Sequence, residues 1–372
     1  MRPSAGRVLI AAGEPSGDAH GAGVISALRR LRPGLEVEAF GGPALAAAGA
    51  SVRFRMEGFT VLGFWEALGK IPAHLGLLRT LGRELQAGRY DLVILVDYPG
   101  FNLRLAKLAK AAGVPTLFYV APQLWAWRAG RAKAVRAAVD RLAVVLPFEQ
   151  AYFASLDIPA DFVGHPLLDH PPPGRSEARG RLGIGIGERV LTIFPGSRAQ
   201  EVHRIWPTFR DAAHLLLADG SCDRVVAASL EGFDYHGAGR IELGTGDRQD
   251  FLAAADAGLL KSGTTTLQGA CAGVPMVVGY RVNRLTAAIA RQLKTVPWIS
   301  LVNLVANRQV VPELTQEKAN PETLAMHLRV LLQPGSTEAA RQRADLQAVR
   351  VALGTPGAAS RVAALADGLL AA

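Results

Sequence analysis

The stretch 258-GLLKSGTTTLQGACAGVPMVVGYR-281 decides how this chain folds. Residues 258–260 read as a short buried strand, Lys261, Ser262 and Gly263 as a tight polar loop, and Thr264 or Thr265 as the start of a short helix. A Gly-Val-Pro turn then leads into a second apolar strand at 276–279. The Ser-Gly-Thr-Thr-Thr run leaves several backbone N–H groups and hydroxyls aimed at one spot, where the helix dipole adds partial positive charge. Such a spot suits a phosphate or diphosphate. The same run also reads as a helix merely capped by Ser or Thr. Gln268 lies one turn into the helix, where its side chain can reach a sugar edge beside the phosphates.

Working outward, the first half alternates apolar runs at 8–12, 37–40, 92–96, 116–120 and 142–146 with helical patterns. Short, nearly continuous apolar strands between amphipathic helices indicate a parallel sheet covered on both faces. Pro171-Pro172-Pro173-Gly174 breaks the pattern, and the Gly- and Arg-rich passage to about 189 is the best linker candidate. The alternation resumes at 190–194, 225–228, 241–243, 259–260 and 276–279. The expected fold is α/β: two doubly wound, Rossmann-like halves, 1–170 and 190–320, facing one another across a cleft. A helical segment, 321–372, follows without a clear new core. Ligand sites are expected beyond the carboxyl ends of the strands. No internal repeat of 20–50 residues is visible.

The global numbers limit the partners. At 372 residues the chain is long enough for two cores, and with 49% hydrophobic and 20% charged residues it is globular. A net charge of +9 favours an anionic partner: nucleic acid, a phosphorylated substrate or an anionic membrane surface. Aromatic residues make up 6%, which is low for a single-strand nucleic-acid groove, so no nucleic acid is expected. Cys222 and Cys271 are the only cysteines, which is no disulfide framework and fits a reducing cytosol. The N-terminal apolar run is too short for a signal peptide, and no run approaches the roughly 18 residues of a spanning helix. A soluble or peripheral cytoplasmic protein is expected.

An enzyme that joins two substrates would carry its chemistry in the loops after the strands. Gly13-Glu14-Pro15-Ser16-Gly17-Asp18 follows the first strand and opens a helix. Its glycines allow close approach of a ligand, and Ser16 and Asp18 can cap the helix or contact that ligand. With Glu14 they are the acceptor-side candidates of this loop. The loop is not the GxGxxG fingerprint and lacks an acidic strand-end partner, so no nicotinamide cofactor is expected. Asp97 directly follows an apolar strand, before Tyr98-Pro99-Gly100-Phe101-Asn102. A carboxylate there faces the cleft, where partial desolvation raises its pKa towards that of a useful base. The alternative is a cap on the following helix, although Asn102 is available for that.

In the second half, Phe194-Pro195-Gly196-Ser197-Arg198 follows the first strand. Gly196 and Ser197 can present backbone amides to a phosphate, and Arg198 can bind it bidentately. In the bland reading Arg198 pairs with Glu201 instead. His165 and His170 have no metal-site pattern beyond Asp169, so no metal is expected. The segment 61–81 is unusually greasy: Phe64 and Trp65 begin it, and Leu68, Ile71, Leu75, Leu77, Leu78 and Leu81 follow. It reads either as a buried helix or as an acyl-chain or membrane-facing surface. Trp125 and Trp127, with the basic run Arg131, Lys133 and Arg136, are candidates to flank it, although a solvated basic helix face is the default reading of that run.

These residues carry a resemblance. GEPSGDAHGAG (13–23), GGPALAAAG (41–49), VDYPGFN (96–102), YVAPQLWAWR (119–128), LPFE (146–149), VGHP (163–166), FPGSRAQEV (194–202), LKSGTTTLQ (260–268) and PMVVGYR (275–281) resemble the lipid-A-disaccharide synthases, as does SLVNLVANRQVVPELTQ (300–316). The resemblance runs in order over nearly the whole chain. It implies a GT-B glycosyltransferase whose C-terminal domain mainly holds the donor nucleotide. It further implies transfer of 2,3-diacylglucosamine from its UDP form to the 6-hydroxyl of 2,3-diacylglucosamine 1-phosphate, with inversion. The site would sit on the cytoplasmic face of the inner membrane, and a homo-oligomer stays open.

Three residues depart from the family pattern: Gln268 where Glu is usual, Ala121 for a Ser and Val302 for a Pro. The amide at 268 keeps one acceptor but loses charge, which puts UDP affinity in question. Asp97 is expected to deprotonate the acceptor hydroxyl. Arg198, the Gly196 and Ser197 amides and the helix start at 262–265 would stabilise the departing UDP. That cradle can replace a divalent metal, and the chain has no Asp-x-Asp motif, so no cofactor is expected. Two alternatives stay open: another UDP-sugar enzyme of this architecture, such as an epimerase, and a non-enzymatic lipid or nucleotide binder.

Overall fold

The computed structural model describes residues 6–59, 64–127, 130, 132–283 and 296–371; at 64–70 and 127 it describes the backbone alone. The chain divides into two compact units, one of 1–169 with 354–372, the other of 170–353.

In the first unit the strands are β1 (Arg7–Ala12), β2 (Glu36–Gly41), β3 (Ser51–Arg55), β4 (Leu92–Val96), β5 (Thr116–Tyr119), β6 (Arg141–Val144) and β7 (Ala160–Phe162). They form one sheet in the order β3-β2-β1-β4-β5-β6-β7, parallel throughout. The crossovers are helical: α1 (Pro15–Leu31), α2 (Pro43–Ala47), α3 (Phe64–Gln86), α4 (Pro99–Ala111), α5 (Leu124–Trp127), α6 (Ala132–Ala138) and α7 (Glu149–Ala154). Central β4, Leu-Val-Ile-Leu-Val, is buried at every residue, because helices cover both faces of the sheet. Edge strand β3 alternates half-buried and exposed residues, and its Ser-Val-Arg-Phe-Arg sequence gives no apolar run to read.

The second unit holds β8 (Val190–Phe194), β9 (Arg224–Ala228), β10 (Glu242–Gly244), β11 (Ala257–Lys261), β12 (Met276–Tyr280) and β13 (Glu313–Thr315). Their order is β10-β9-β8-β11-β12-β13, again parallel. Its helices include α8 (Arg175–Arg181), α9 (Ala199–Ala218), α10 (Arg248–Ala254) and α11 (Thr264–Cys271).

The passage between the halves and the C-terminal segment are absorbed into these units. Arg179 of α8 is buried and donates to the carbonyls of Ala254 and Glu188 and to Asp256, which ties 175–189 to the second unit. Helix Pro321–Leu332 packs on α9, and helix Thr337–Ala352 on α11. The last helix, Ala358–Ala371, belongs to the first unit and lies along α1. Its buried face of Ala358, Val362, Ala363 and Ala366 is small enough for close helix contact. The segment 321–372 is thus shared between two cores.

Helix α3 resolves the reading of the greasy segment for part of its length. Leu77, Leu78, Leu81 and Leu85 are buried in the first core, while Ile71 and Leu75 are 44% and 38% exposed. Residues 61–63, the side chains of Phe64, Trp65, Leu68 and Trp127, and all of Arg131 lie outside the described residues.

Candidate active site

A parallel sheet opens a crevice where its strand order reverses, because neighbouring crossovers there leave on opposite faces. In the first unit that point is between β1 and β4, in the second between β8 and β11. Ala12 and Val96 are partners at the carboxyl ends of the first pair, and Phe194 and Leu260 of the second. The loops that follow these ends are 13–18, 97–102, 195–198 and 262–265.

In the first unit, Asp97 and Tyr98 both have positive φ, 46° and 49°. A non-glycine left-handed pair is a strained arrangement of the kind stored at functional sites. Asp97 is half-buried, and its amide donates to the Tyr119 carbonyl at 2.9 Å. The Tyr98 ring lies so close to Gly13 that a Cβ there would come within 2.3 Å of it, which is why the β1 loop needs glycine at that position. His74 Nε2 lies 2.8 Å from the Tyr98 hydroxyl. Phe59 packs on the His74 ring and Phe101 on both rings, with Phe40 behind them, which seats this loop against α3. Burial, and then the charge of Glu14, push the Tyr98 phenol above its ordinary value.

Several expected residues have structural tasks. Asp18 is buried, and its carboxylate accepts from the amides of Gly42 at 2.7 Å and Ala44 at 2.8 Å, capping α2 from α1. The sequence offers Asp18 as a cap for the helix that its own loop opens, but α1 has no side-chain cap, and Asp18 instead holds the start of α2. Ser16 is exposed and Glu14 half-buried. Asn102 does not cap α4: it is fully buried, and its amide donates to backbone carbonyls at the strand ends. Trp125 is buried too, with its indole N–H donating to Glu149 at 2.9 Å and its ring edge-on to Phe148. Burial pushes the Glu149 carboxyl up to about 7, against the pull of Trp125 and the Leu146 and Val145 amides. His165 is buried, and desolvation with the nearby His20 pushes it down to about 4, so its imidazole is neutral. Among the described residues no cluster of His, Cys, Asp and Glu could hold a metal.

In the second unit, Gly196 and Gly263 take φ of 149° and 147° at the exits of β8 and β11, a conformation side chains rarely adopt. Arg198 is exposed at the N-cap of α9 and, among the described residues, pairs with no carboxylate. Glu201 is held instead by Lys261 at 2.8 Å, and it also accepts from the Ser197 amide at 3.3 Å. Burial raises Glu201, but the Lys261 bond and charge, the Ser197 amide and the charge of Arg198 together hold the carboxyl below its usual value. The Lys261 ammonium also lies 5.8 Å from the centre of the Tyr280 ring. Ser262 donates its hydroxyl to the Ile299 carbonyl at 2.6 Å, so its side chain braces the loop. Thr264 is exposed, Thr265 and Gln268 are half-buried, and the α11 start leaves its first amides outside the helix ladder.

Sequence reasoning missed Lys261 and Glu201 as partners. The available signal was Lys261's place at the end of an apolar strand, the same signal that picked out Asp97. It also missed the bracing behind Ile299: Glu313 accepts from the Ile299 and Ser300 backbone amides, the Ser300 hydroxyl and the Asn303 side-chain amide.

Two doubly wound parallel sheets, each with a polar loop cluster at its switch point, define a chain of the GT-B class. The calicheamicin glycosyltransferase CalG4 is similar with a TM-score of 0.62 and 17% identity, covering 100% of this chain and 99% of that one. A UDP-GlcNAc 2-epimerase from Neisseria meningitidis bound to UDP-GlcNAc gives 0.63 at 11% identity, over 98% and 99%. These distant likenesses speak to fold alone. Sequence comparison goes further: the Lipid-A-disaccharide synthetase family model matches residues 8–366. A lipid-A-disaccharide synthase of Anaeromyxobacter dehalogenans (strain 2CP-C) is 41% identical over 367 residues, and one of Syntrophus aciditrophicus (strain SB) 38% over 380, each covering 96% of both chains. The chain belongs to the lipid-A-disaccharide synthase family.

Proposed function

We propose that this chain is an inverting glycosyltransferase that moves 2,3-diacylglucosamine from its UDP form to the 6-hydroxyl of 2,3-diacylglucosamine 1-phosphate. The product is the tetra-acylated disaccharide 1-phosphate, and UDP is released. The observation that carries the reading is the family match over 8–366, which spans the polar loops at both switch points.

The second unit is assigned the donor. Amides at Gly196, Ser197 and the start of α11 (Gly263, Thr264, Thr265) and the exposed guanidinium of Arg198 suit a diphosphate whose charge grows as it leaves. Gln268 is assigned the ribose. Asp97 of the first unit is assigned the base: the acceptor O6 forms its bond to the anomeric carbon, its proton passes to Asp97, and the carbon–oxygen bond to the diphosphate breaks with its electron pair on UDP. Inversion follows from a single in-line displacement.

The exposed Ile71 and Leu75 of α3 support an acyl or membrane contact on the cytoplasmic face of the inner membrane. No helix among the described residues is long and apolar enough to cross a membrane.

The test is substrate discrimination. The purified chain should release UDP from UDP-2,3-diacylglucosamine only when the acylated 1-phosphate acceptor is present. Turnover or epimerisation of non-acylated UDP-N-acetylglucosamine at a comparable rate would overturn the lipid reading.

A further inference from the structure

Asn102 is wholly buried in the first turn of α4 and has no part in the proposed chemistry. The ladder between β1 and β4 ends at Ala12 and Val96. At that end the Asn102 side chain adds its own tie: Nδ2 donates to the carbonyls of Ala11 at 3.2 Å, Val96 at 3.2 Å and Asp97 at 2.7 Å. An amide nitrogen has two hydrogens, so three carbonyls share them, and a rotated amide would set its oxygen against all three. The orientation is therefore fixed. It leaves Oδ1 as the one buried side-chain nitrogen or oxygen among the described residues without a hydrogen-bond partner. A leucine would fill a similar volume without burying an unmet acceptor, so packing alone does not explain the amide. What only the amide does is hold the Asp97 carbonyl to the strand ends while Asp97 and Tyr98 stay left-handed.

We propose that Asn102 is a positioning residue for Asp97: it fixes the strained turn from which the Asp97 carboxylate meets the acceptor hydroxyl. This rests on the reading of Asp97 as the base. The strained pair needs surroundings that over-determine it, and the three-carbonyl tie supplies them. Displacing a reacting group by about 1 Å can lower a rate on the order of 100-fold.

A double-mutant cycle in the full chain separates positioning from general stability. Asn102→Ala should lower kcat at least tenfold, with UDP affinity by calorimetry changed less than about twofold. In an Asp97→Asn background the same substitution should cost less than about twofold, because the group it positions is already gone. An equal loss in both backgrounds, or full kcat in Asn102→Ala, would overturn the proposal. Near-normal turnover in Asp97→Asn alone would instead remove the base reading on which the proposal stands. Should Asn102→Ala fail to fold, Asn102→Ser keeps one donor in the same pocket. The cycle then expects a smaller loss, again absorbed by Asp97→Asn, and an unabsorbed loss overturns it.

Discussion

An Asp97→Asn substitution removes the proposed proton acceptor while keeping the shape of the side chain. It should leave melting and UDP affinity near normal while lowering kcat roughly 100-fold or more, the usual scale for a lost general base. Turnover within a few-fold of the parent would take Asp97 out of the mechanism. Arg198 differs, because it would meet charge present in the bound donor that grows during departure. Arg198→Ala should weaken UDP binding about tenfold or more and slow transfer with it, since hydrogen bonds to charged groups are worth about 1.5–3 kcal/mol. Normal values for both would place Arg198 on an inert surface. Gln268 is assigned the ribose with a neutral amide. A carboxylate accepts from both ribose hydroxyls, so Gln268→Glu should tighten UDP binding by about 1 kcal/mol and leave donor-saturated kcat nearly unchanged. Unchanged affinity would show that residue 268 does not hold the ribose. Asp97 stood out in the sequence because it directly follows the apolar strand β4, and Arg198 because it closes the polar loop between β8 and α9. Glu201 was harder: its partner Lys261 is 60 positions away, a spacing that only the pairing of β8 and β11 closes.

Among the elements, α3 carries two faces that respond oppositely. Leu81 is fully buried, so Leu81→Ala should cost about 2–5 kcal/mol of stability, read by denaturant unfolding. The double change of Ile71 and Leu75 to Ser should leave the unfolding curve in place and reduce binding to anionic vesicles or use of the acylated acceptor. Loss of fold in that double variant would assign both residues to the core. The turn between β6 and α7 gives a pH signature. Glu149 keeps its proton up to about 7 when folded, against an ordinary value of 4.5, so the folded state binds more protons between these values. Stability contributed by Glu149 is full below about 4.5 and is lost as pH rises through about 7. Glu149→Gln should flatten that part of the stability–pH profile, and an unaltered slope would show that Glu149 ionises freely in the fold. The apolar strands β1, β4, β8 and β12 were legible because burial on both faces leaves mostly apolar residues. Edge strands β3, β7 and β13 were not: with one neighbour each they tolerate Arg, Asp and Glu and run only three to five residues.

Across the whole molecule, the alternation of strand and helix was enough to foresee two parallel sheets, and the motifs were enough to foresee the family. The distribution of the C-terminal helices was not visible in the same way. An amphipathic helix such as Ala358–Ala371 shows that it needs a partner without showing which one, and only tertiary packing assigns it to α1. The transfer reaction itself is tested by a mass balance. The purified full chain is incubated with UDP-2,3-diacylglucosamine and 2,3-diacylglucosamine 1-phosphate, and UDP and disaccharide are quantified while the new linkage is read by NMR. UDP and disaccharide 1-phosphate should form in equal amounts, the two sugars joined through the acceptor 6-hydroxyl with the anomeric configuration inverted. UDP released without disaccharide, a retained configuration, or no reaction from a folded chain that binds UDP would contradict this transfer.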